Sequence, residues 1–333
     1  MLIWIGFLVL VAALLALDLG VFNKDAHTIN AKEALRWTGV WVAFSLLFSI
    51  FIYFAYENSW VHEEGAPMSG QKAVITYLTG YLVEQSLSID NIFVIAVIFA
   101  YFKIPQQFQH RVLFWGIIGA VLFRGFMILV GSVLLHRFGW ITYVFGAILL
   151  YTAYRMLVQK DHDEDVDVDK NPLVALAKRF FPVTDRFHGE NFFIKVDHAT
   201  AATPLFIALL VIETTDIMFA FDSIPAIFAI TTDPFLVFTS NIFAILGLRS
   251  LYFVLASMLD KFPYLRYSLV VILAFVGVKM CIVHQVDLPE WLSLAVIAVS
   301  LAAGILPSLS EVLRQGREEK TAATPLSDPN IKA

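Results

Sequence analysis

Glu213, Asp216 and Asp222 lie within "ETTDIMFAFDSIPAIFAI" (213–230), a run otherwise apolar enough to sit inside a bilayer. On insertion scales an aspartate at the centre of a membrane helix costs roughly 2.5 to 3.5 kcal/mol, so such residues persist where they pair or bind something. Ser223 follows Asp222 directly, and Ser240 and Asn241 come later in another apolar run. Together they supply only oxygen donors, which suit magnesium, calcium or manganese better than copper or zinc. The single cysteine, Cys281, excludes an internal disulfide and a cysteine metal cluster, and the eight histidines lie almost entirely in loops or at span ends.

The same acid pattern occurs earlier. "EQSLSIDNIFVIAVIFA" from Glu84 aligns with "DIMFAFDSIPAIFAI" from Asp216: an acid, five residues, then Asp beside a small polar residue, in Asp90-Asn91 and Asp222-Ser223. The likeness continues, with "AVLFRGFMILVGSVLL" over "ILGLRSLYFVLASMLD" and "ILLYTAYRM" over "ILAFVGVKM". Arg124 thereby aligns with Arg249, and Arg155 with Lys279. Six residues on a continuous helix advance about 9 Å and turn about 600°, so Glu84 and Asp90, or Asp216 and Asp222, cannot share a face unless the helix is interrupted. Pro225 gives no N–H to the carbonyl of Phe221, so a break or kink is expected there; in the first copy, Ser88, Asp90 and Asn91 would have to compete for backbone bonds. The expected site is a central pair of Asp90 and Asp222, extended by Glu84 on one side and by Asp216 with Glu213 on the other. Arg124 and Arg249 lie well inside apolar spans, where cations pair with acids or face a cavity. They either close an empty site in competition with metal or form permanent ion pairs.

Elements that position such residues must be membrane helices. Of 333 residues, 59% are hydrophobic and 15% charged, and the mean hydropathy is +0.75. Apolar stretches able to cross a hydrocarbon core of about 30 Å recur along the chain without the alternation of barrel strands. The expected fold is an all-α polytopic bundle of about nine spans, at 1–22, 35–56, 72–101, 109–136, 139–159, 203–231, 235–260, 264–284 and 288–310. The long third and sixth spans call for tilted or broken helices. No basic n-region precedes the first run, so a retained helix is expected over a cleaved signal. Asp18, near its end, is a secondary site candidate with Ser240 and Asn241.

Lys103, Arg111, Lys178, Arg179, Lys195, Lys261 and Arg314 fall with most other cations on one side, against Lys72 and Arg137 on the other. The positive-inside rule then puts the N-terminus outside and the C-terminus in the cytoplasm. With three spans per copy, the second copy starts from the opposite side, so the repeats are inverted, as in secondary transporters with ion sites between copies. The organisation expected is two helices in 1–71, a first repeat in 72–159, an acidic cytoplasmic linker with a surface segment in 160–202, a second repeat in 203–284, a last helix in 285–310 and a tail in 311–333. The linker start "KDHDEDVDVDK" fails as a calcium loop, having Lys170 for glycine and Leu176 for glutamate. "PLVALAKRFFP" reads as a short amphipathic surface helix, and the polar tail after 315 as disordered. "HEEGA" (62–66) has Ala66 where a zinc protease needs a second histidine. Trp37, Trp60, Trp140 and Trp291 read as interface anchors.

"YLVEQSLSIDNIFVIAVIFAYFKIP", "QHRVLFWGIIGAVLFRG", "TPLFIALLVIETTDIMFAFDSIPAIFAIT" and "SNIFAILGLRSLYFVLA" resemble the TerC family of bacterial membrane proteins, and the two extra N-terminal spans resemble its Alx-type branch. The resemblance covers about residues 16 to 282. It implies manganese handling, because members are associated with manganese export from the cytoplasm; the family name comes from tellurium-resistance gene clusters. Its acid motifs carry over onto Glu84, Asp90, Asn91, Glu213, Asp216, Asp222 and Ser223. An acid cage argues against tellurium oxyanions as cargo, since those seek cations and helix N-termini.

The function expected is export of a divalent cation, manganese foremost, through the bacterial inner membrane. Proton antiport is the expected drive, because clustered carboxylates repel one another and take up protons when metal leaves. No phosphate-loop pattern is present, no cofactor is expected to be permanently bound, and the partners are lipid, a metal ion and protons, with no nucleic acid. The alternative is an accessory protein for metal delivery or metal and tellurium stress, acting with membrane protein partners. An intramembrane hydrolase with paired aspartates is not expected, because no protease motif surrounds either residue.

Overall fold

A computed structural model describes residues 2–17, 31–61, 68–158, 174–175, 178–179, 182–184, 187–196, 199–255, 265–282 and 289–322. Among these, nine long helices form: α1 (Leu2–Leu17), α2 (Ala31–Glu57), α3 (Gly70–Tyr101), α4 (Gln106–Arg137), α5 (Ile141–Val158), α6 (Pro204–Phe228), α7 (Pro234–Leu255), α8 (Leu265–Ile282) and α9 (Glu290–Ala322). Within α2, α4, α5, α6 and α7 lie stretches long and apolar enough to cross a membrane, and α1, α8 and α9 hold shorter apolar ones. The protein is an all-α membrane protein. Its departures among the described residues are an antiparallel hairpin in the linker, β1 (Phe193–Val196) against β2 (Ala199–Ala202), with Phe193 opposite Ala202, and a single parallel bridge from Val183 to Ala202.

Local signals start several helices. The Ser69 side chain accepts from the Lys72 amide at 3.3 Å to cap α3. Asp233 caps α7 by accepting from the amides of Phe235 (2.8 Å) and Leu236 (3.1 Å), with Pro234 at the first helical position. Its other oxygen accepts from the Tyr56 hydroxyl at 2.6 Å, which pins the end of α2 to the start of α7.

Helix α7 is the hub. Every residue from Phe235 to Ser250 is buried, enclosed by α2, α3 and α4. At the α3 seam a Cβ on Gly80 would stand 2.8 Å from Ser240 Oγ, so glycine sets the approach. Helix α4 also packs on α6, α3 on α6, α5 on α8, and α9 on α3 and α8. Phe7 of α1 sits among Phe48, Phe235, Phe238 and Phe243, with ring centroids 5.4 to 6.1 Å apart. On α2, Ser45, Phe48, Ile52 and Ala55 are buried while Leu46, Leu47, Ile50 and Phe54 are exposed, which gives one packing face and one apolar outer face. Trp60, Trp140 and Trp291 are exposed, and Trp37 is half-buried.

Helices α5 and α8 cross on small residues. A Cβ on Gly277 would lie 3.2 Å from Gly146 O and 3.0 Å from Leu150 Cγ, leaving no room for a branched side chain. Gly277→Val is expected to cost about 1–3 kcal/mol by overpacking, seen as a fall of several degrees in the unfolding midpoint in detergent. Gly39→Ala, at a position with nothing within 4 Å, should leave it unchanged.

Three expectations need correction. Helix α6 runs unbroken through Pro225 to Phe228. The proline falls in the last turn, where only the bond to the carbonyl of Phe221 is lost, and the buried run Ser223–Phe228 holds the backbone in register. Helix α3 likewise continues through Ser88, Asp90 and Asn91; at 32 residues it tilts or projects beyond the bilayer rather than breaking. The tail is not irregular from 315, because α9 extends to Ala322 over "EVLRQGREEKTA", which is rich in helix formers. In the linker, residues 174–175 and 178–179 are helical, with Val174 buried and Lys178 and Arg179 exposed, as an amphipathic surface segment requires. The acidic 160–170 stretch, "HEEGA" and Asp18 lie outside the described residues.

Candidate functional site

The polar centre of the bundle is built around Arg124, near the middle of α4 and 1% exposed. Its guanidinium forks onto Asp216 of α6, with Nε donating to Oδ2 at 3.1 Å and Nη2 to Oδ1 at 2.8 Å. Nη1 donates to Glu84 Oε1 of α3, to Ser223 Oγ at 3.2 Å and to Asn241 Oδ1 at 3.4 Å. Asn241 Nδ2 of α7 donates back to Glu84 Oε2 at 3.1 Å. Four helices thus meet on one cation, and both carboxyl oxygens of Glu84, itself fully buried, are satisfied. A bidentate arginine fork fixes orientation as well as charge. The desolvation cost of such groups offsets much of their attraction, so the assembly sets position more than stability.

Beside Asp216 lies a cavity of about 30 Å³ with mostly apolar walls. Asn91, Ala120, Thr215, Asp216 and Arg249 line it, with Leu113, Ile212 and Leu248. Its walls come from α3, α4, α6 and α7, so it lies between the two copies of the acid motif, toward the end of the bundle that carries Lys103, Arg111 and Lys195.

The predicted residues divide into distinct places. Glu84, Asp216, Ser223 and Asn241 converge on Arg124, while Asn91 and Arg249, both buried, line the cavity. Asp222 does not join them: its Oδ1 accepts from Thr152 Oγ1 of α5 at 2.9 Å. This replaces the pictured central role of Asp222, and the cause is helix phase, because an unbroken α6 turns Asp222 about 120° away from Asp216. Glu213 sits against Gly119 of α4, where any Cβ would overlap its carboxylate. Ser240 donates to Val237 O at 3.2 Å and packs at Gly80. Asp90 lies within α3, and its side chain is outside the described residues. Among the described residues, no three His, Cys, Asp or Glu side chains converge into a ready cage, since Arg124 stands between the acids that would make one.

Sequence reasoning missed Thr152 and Gly119. Nothing in "ILLYTAYRM" marks Thr152 as a partner of Asp222, whereas a glycine inside an apolar helix such as α4 does signal close approach by a neighbour.

Comparison with known proteins bears on what this centre belongs to. The family described as "Integral membrane protein TerC family" matches residues 69–317. The chain is 47% identical over 307 residues to "Uncharacterized membrane protein STKORF319" of Myxococcus xanthus, covering 92% of each chain. It is 44% identical over 297 residues to "Putative membrane-bound redox modulator Alx" of Escherichia coli (strain K12), covering 89% of this chain and 90% of that one. An "Uncharacterized membrane protein" of Rickettsia bellii is 41% identical over 306 residues, covering 92% and 96%. No solved structure matches the chain. With an acid and arginine centre inside its membrane helices and a match over most of its length, the chain is a member of the TerC family of integral membrane proteins.

Proposed function

We propose that this protein is a secondary transporter that exports a hard divalent cation, manganese foremost, from the cytoplasm. The observation that carries the reading is Arg124 held by Glu84 and Asp216 beside a cavity walled by both acid-bearing helices. The guanidinium occupies the place of a cation, and a divalent ion entering from the cavity competes with it for the two carboxylates. Ser223, Asn241 and Asn91 offer further oxygens within the same region, which suits an ion that keeps part of its water. Manganese is favoured among hard cations by the association of TerC members with its export.

Nine spans with two inverted three-helix repeats fit this mechanism. Exchanging α3 with α6, α4 with α7 and α5 with α8 maps the main packing pairs onto one another: α3 on α7 becomes α6 on α4, and α5 on α8 maps onto itself. Such a bundle lets one copy rock against the other around the arginine centre, with proton uptake by the vacated acids as the counter-flow. The distribution of Lys and Arg favours an inner-membrane protein with the cavity end in the cytoplasm and the N-terminus outside. The redox modulation in relatives' names finds one thiol here, Cys281 in α8, and a single thiol closes no internal disulfide.

The test is manganese flux into proteoliposomes with and without a pH gradient, for the parent and for Glu84→Gln, Asp90→Asn, Asp216→Asn and Asp222→Asn. The parent is expected to move manganese in a gradient-dependent way, and the folded variants to lose most of that flux. A parent that moves no divalent ion under either condition would overturn the reading and leave the accessory role.

A further inference from the structure

The residues that line the cavity beside Asp216 stop at Leu113 on α4 and at Arg249 on α7, and another layer of side chains stands between them and the loops on the cation-rich side. On α4, Gln109 lies four residues before the cavity-lining Leu113; on α7, Tyr252 lies four after Leu248. Both therefore stand about one turn, about 5 to 6 Å, further out along their helices. The Tyr252 hydroxyl donates to Gln109 Oε1 at 3.0 Å, joining α4 to α7 in this layer. Gln109 Nε2 in turn donates to Ile104 O at 3.1 Å, which anchors the pair to the connection before α4. Phe99 of α3, four residues after the cavity-lining Ile95, packs edge-on to Tyr252, with ring centroids 5.5 Å apart and planes at 88°. On α6, Ala208 lies four residues before the cavity-lining Ile212 and is fully buried.

We propose that Tyr252 and Gln109, with Phe99 as their backing, form the gate between this cavity and the cation-rich face of the membrane. The proposal rests on the transport reading, because only alternating access gives such a layer a reason to open. A side-chain hydrogen bond between neutral groups suits a gate, since it holds two helices together, yet its net worth is small enough to be broken and remade in each cycle. Phe99 and Tyr252 keep the layer dry when it is closed, each being 2–3% exposed.

The test needs no metal. Cys281 is the only cysteine, so Cys281→Ala gives a cysteine-free chain, and Ala120→Cys then places one thiol on the cavity wall. A charged, membrane-impermeant methanethiosulfonate is applied to either face of sealed proteoliposomes holding the full chain. Tyr252→Phe, which keeps the ring and its packing, and Gln109→Leu should each speed labelling from the cation-rich face by about three- to tenfold, the range one neutral hydrogen bond supplies. The double variant should label no faster than Gln109→Leu, because that change already removes the bond Tyr252 makes. Unchanged rates in both single variants, with the thiol fully reactive once the protein is unfolded, would overturn the gate. So would equal acceleration from both faces, which marks general loosening. Labelling that responds in a protein without divalent flux would remove the transport reading and leave a gated cavity; flux without any labelling response would remove the gate alone.

Discussion

Arg124→Gln is expected to lose about 3–5 kcal/mol of stability in the absence of metal, the cost of leaving buried charge without its partner. Glu84 and Asp216 would then face each other across the space the guanidinium fills, with Asn241 and Ser223 as their remaining neighbours. The same vacancy is what a divalent cation needs. Manganese should therefore restore much of the loss, by about 2.7 kcal/mol at one hundred times its dissociation constant, and should stabilise the variant more than the parent, in which ion and arginine compete. Thermal unfolding in detergent with and without manganese reads both effects. If Arg124 is a permanent structural ion pair, manganese will leave the midpoint of the parent unmoved whatever it does to the variant, and competition at this centre is excluded.

The second large effect separates two aspartates six residues apart on the same helix. Asp216→Asn takes one charge from a buried arginine fork and should cost several kcal/mol, up to about 5. Asp222→Asn keeps an oxygen able to accept from Thr152 and should cost about 1 kcal/mol or less. Under the proposed transport both are expected to lose most manganese flux, one because the arginine centre is broken and the other because the second copy of the motif loses its carboxylate. Unfolding midpoints measured beside flux on the same preparations check this. An Asp222→Asn protein with full flux would confine the transport chemistry to the arginine centre.

The sequence made the helices legible because the bilayer imposes length and composition on a span, and helix bounds among the described residues fall within a few residues of most of the expected stretches, five of which are long and apolar enough to cross a membrane. It also marked Arg124, Glu84 and Asp216 by the cost of their residue types in such surroundings. Partners were less legible. Glu84, Arg124, Asp216 and Asn241 come from four helices, and nothing in the spacing along one helix states which other helix it faces. Helix phase was legible for Asp216 and Asp222, whose separation on an unbroken helix forbids a shared face, but the weight given to Pro225 pointed to a break that the last turn of α6 does not need. The hairpin of β1 and β2 was hidden because its sequence, short and flanked by a charged linker, has no alternation long enough to read. The Tyr252 and Gln109 layer had no signal at all, since an aromatic and an amide at span ends are ordinary interface residues until the fold sets them opposite each other.

The full burial of α7 has a consequence for how the chain is made. Thr239, Ser240, Asn241, Arg249 and Ser250 would all meet lipid if this helix entered the bilayer alone, with an arginine costing up to about 2.5 to 3.5 kcal/mol against insertion, the value for a helix centre. The helices that enclose it, α2, α3 and α4, all precede it in the chain. They are therefore synthesised first, so the order of the sequence brings the polar partners of α7 into being before the helix that needs them.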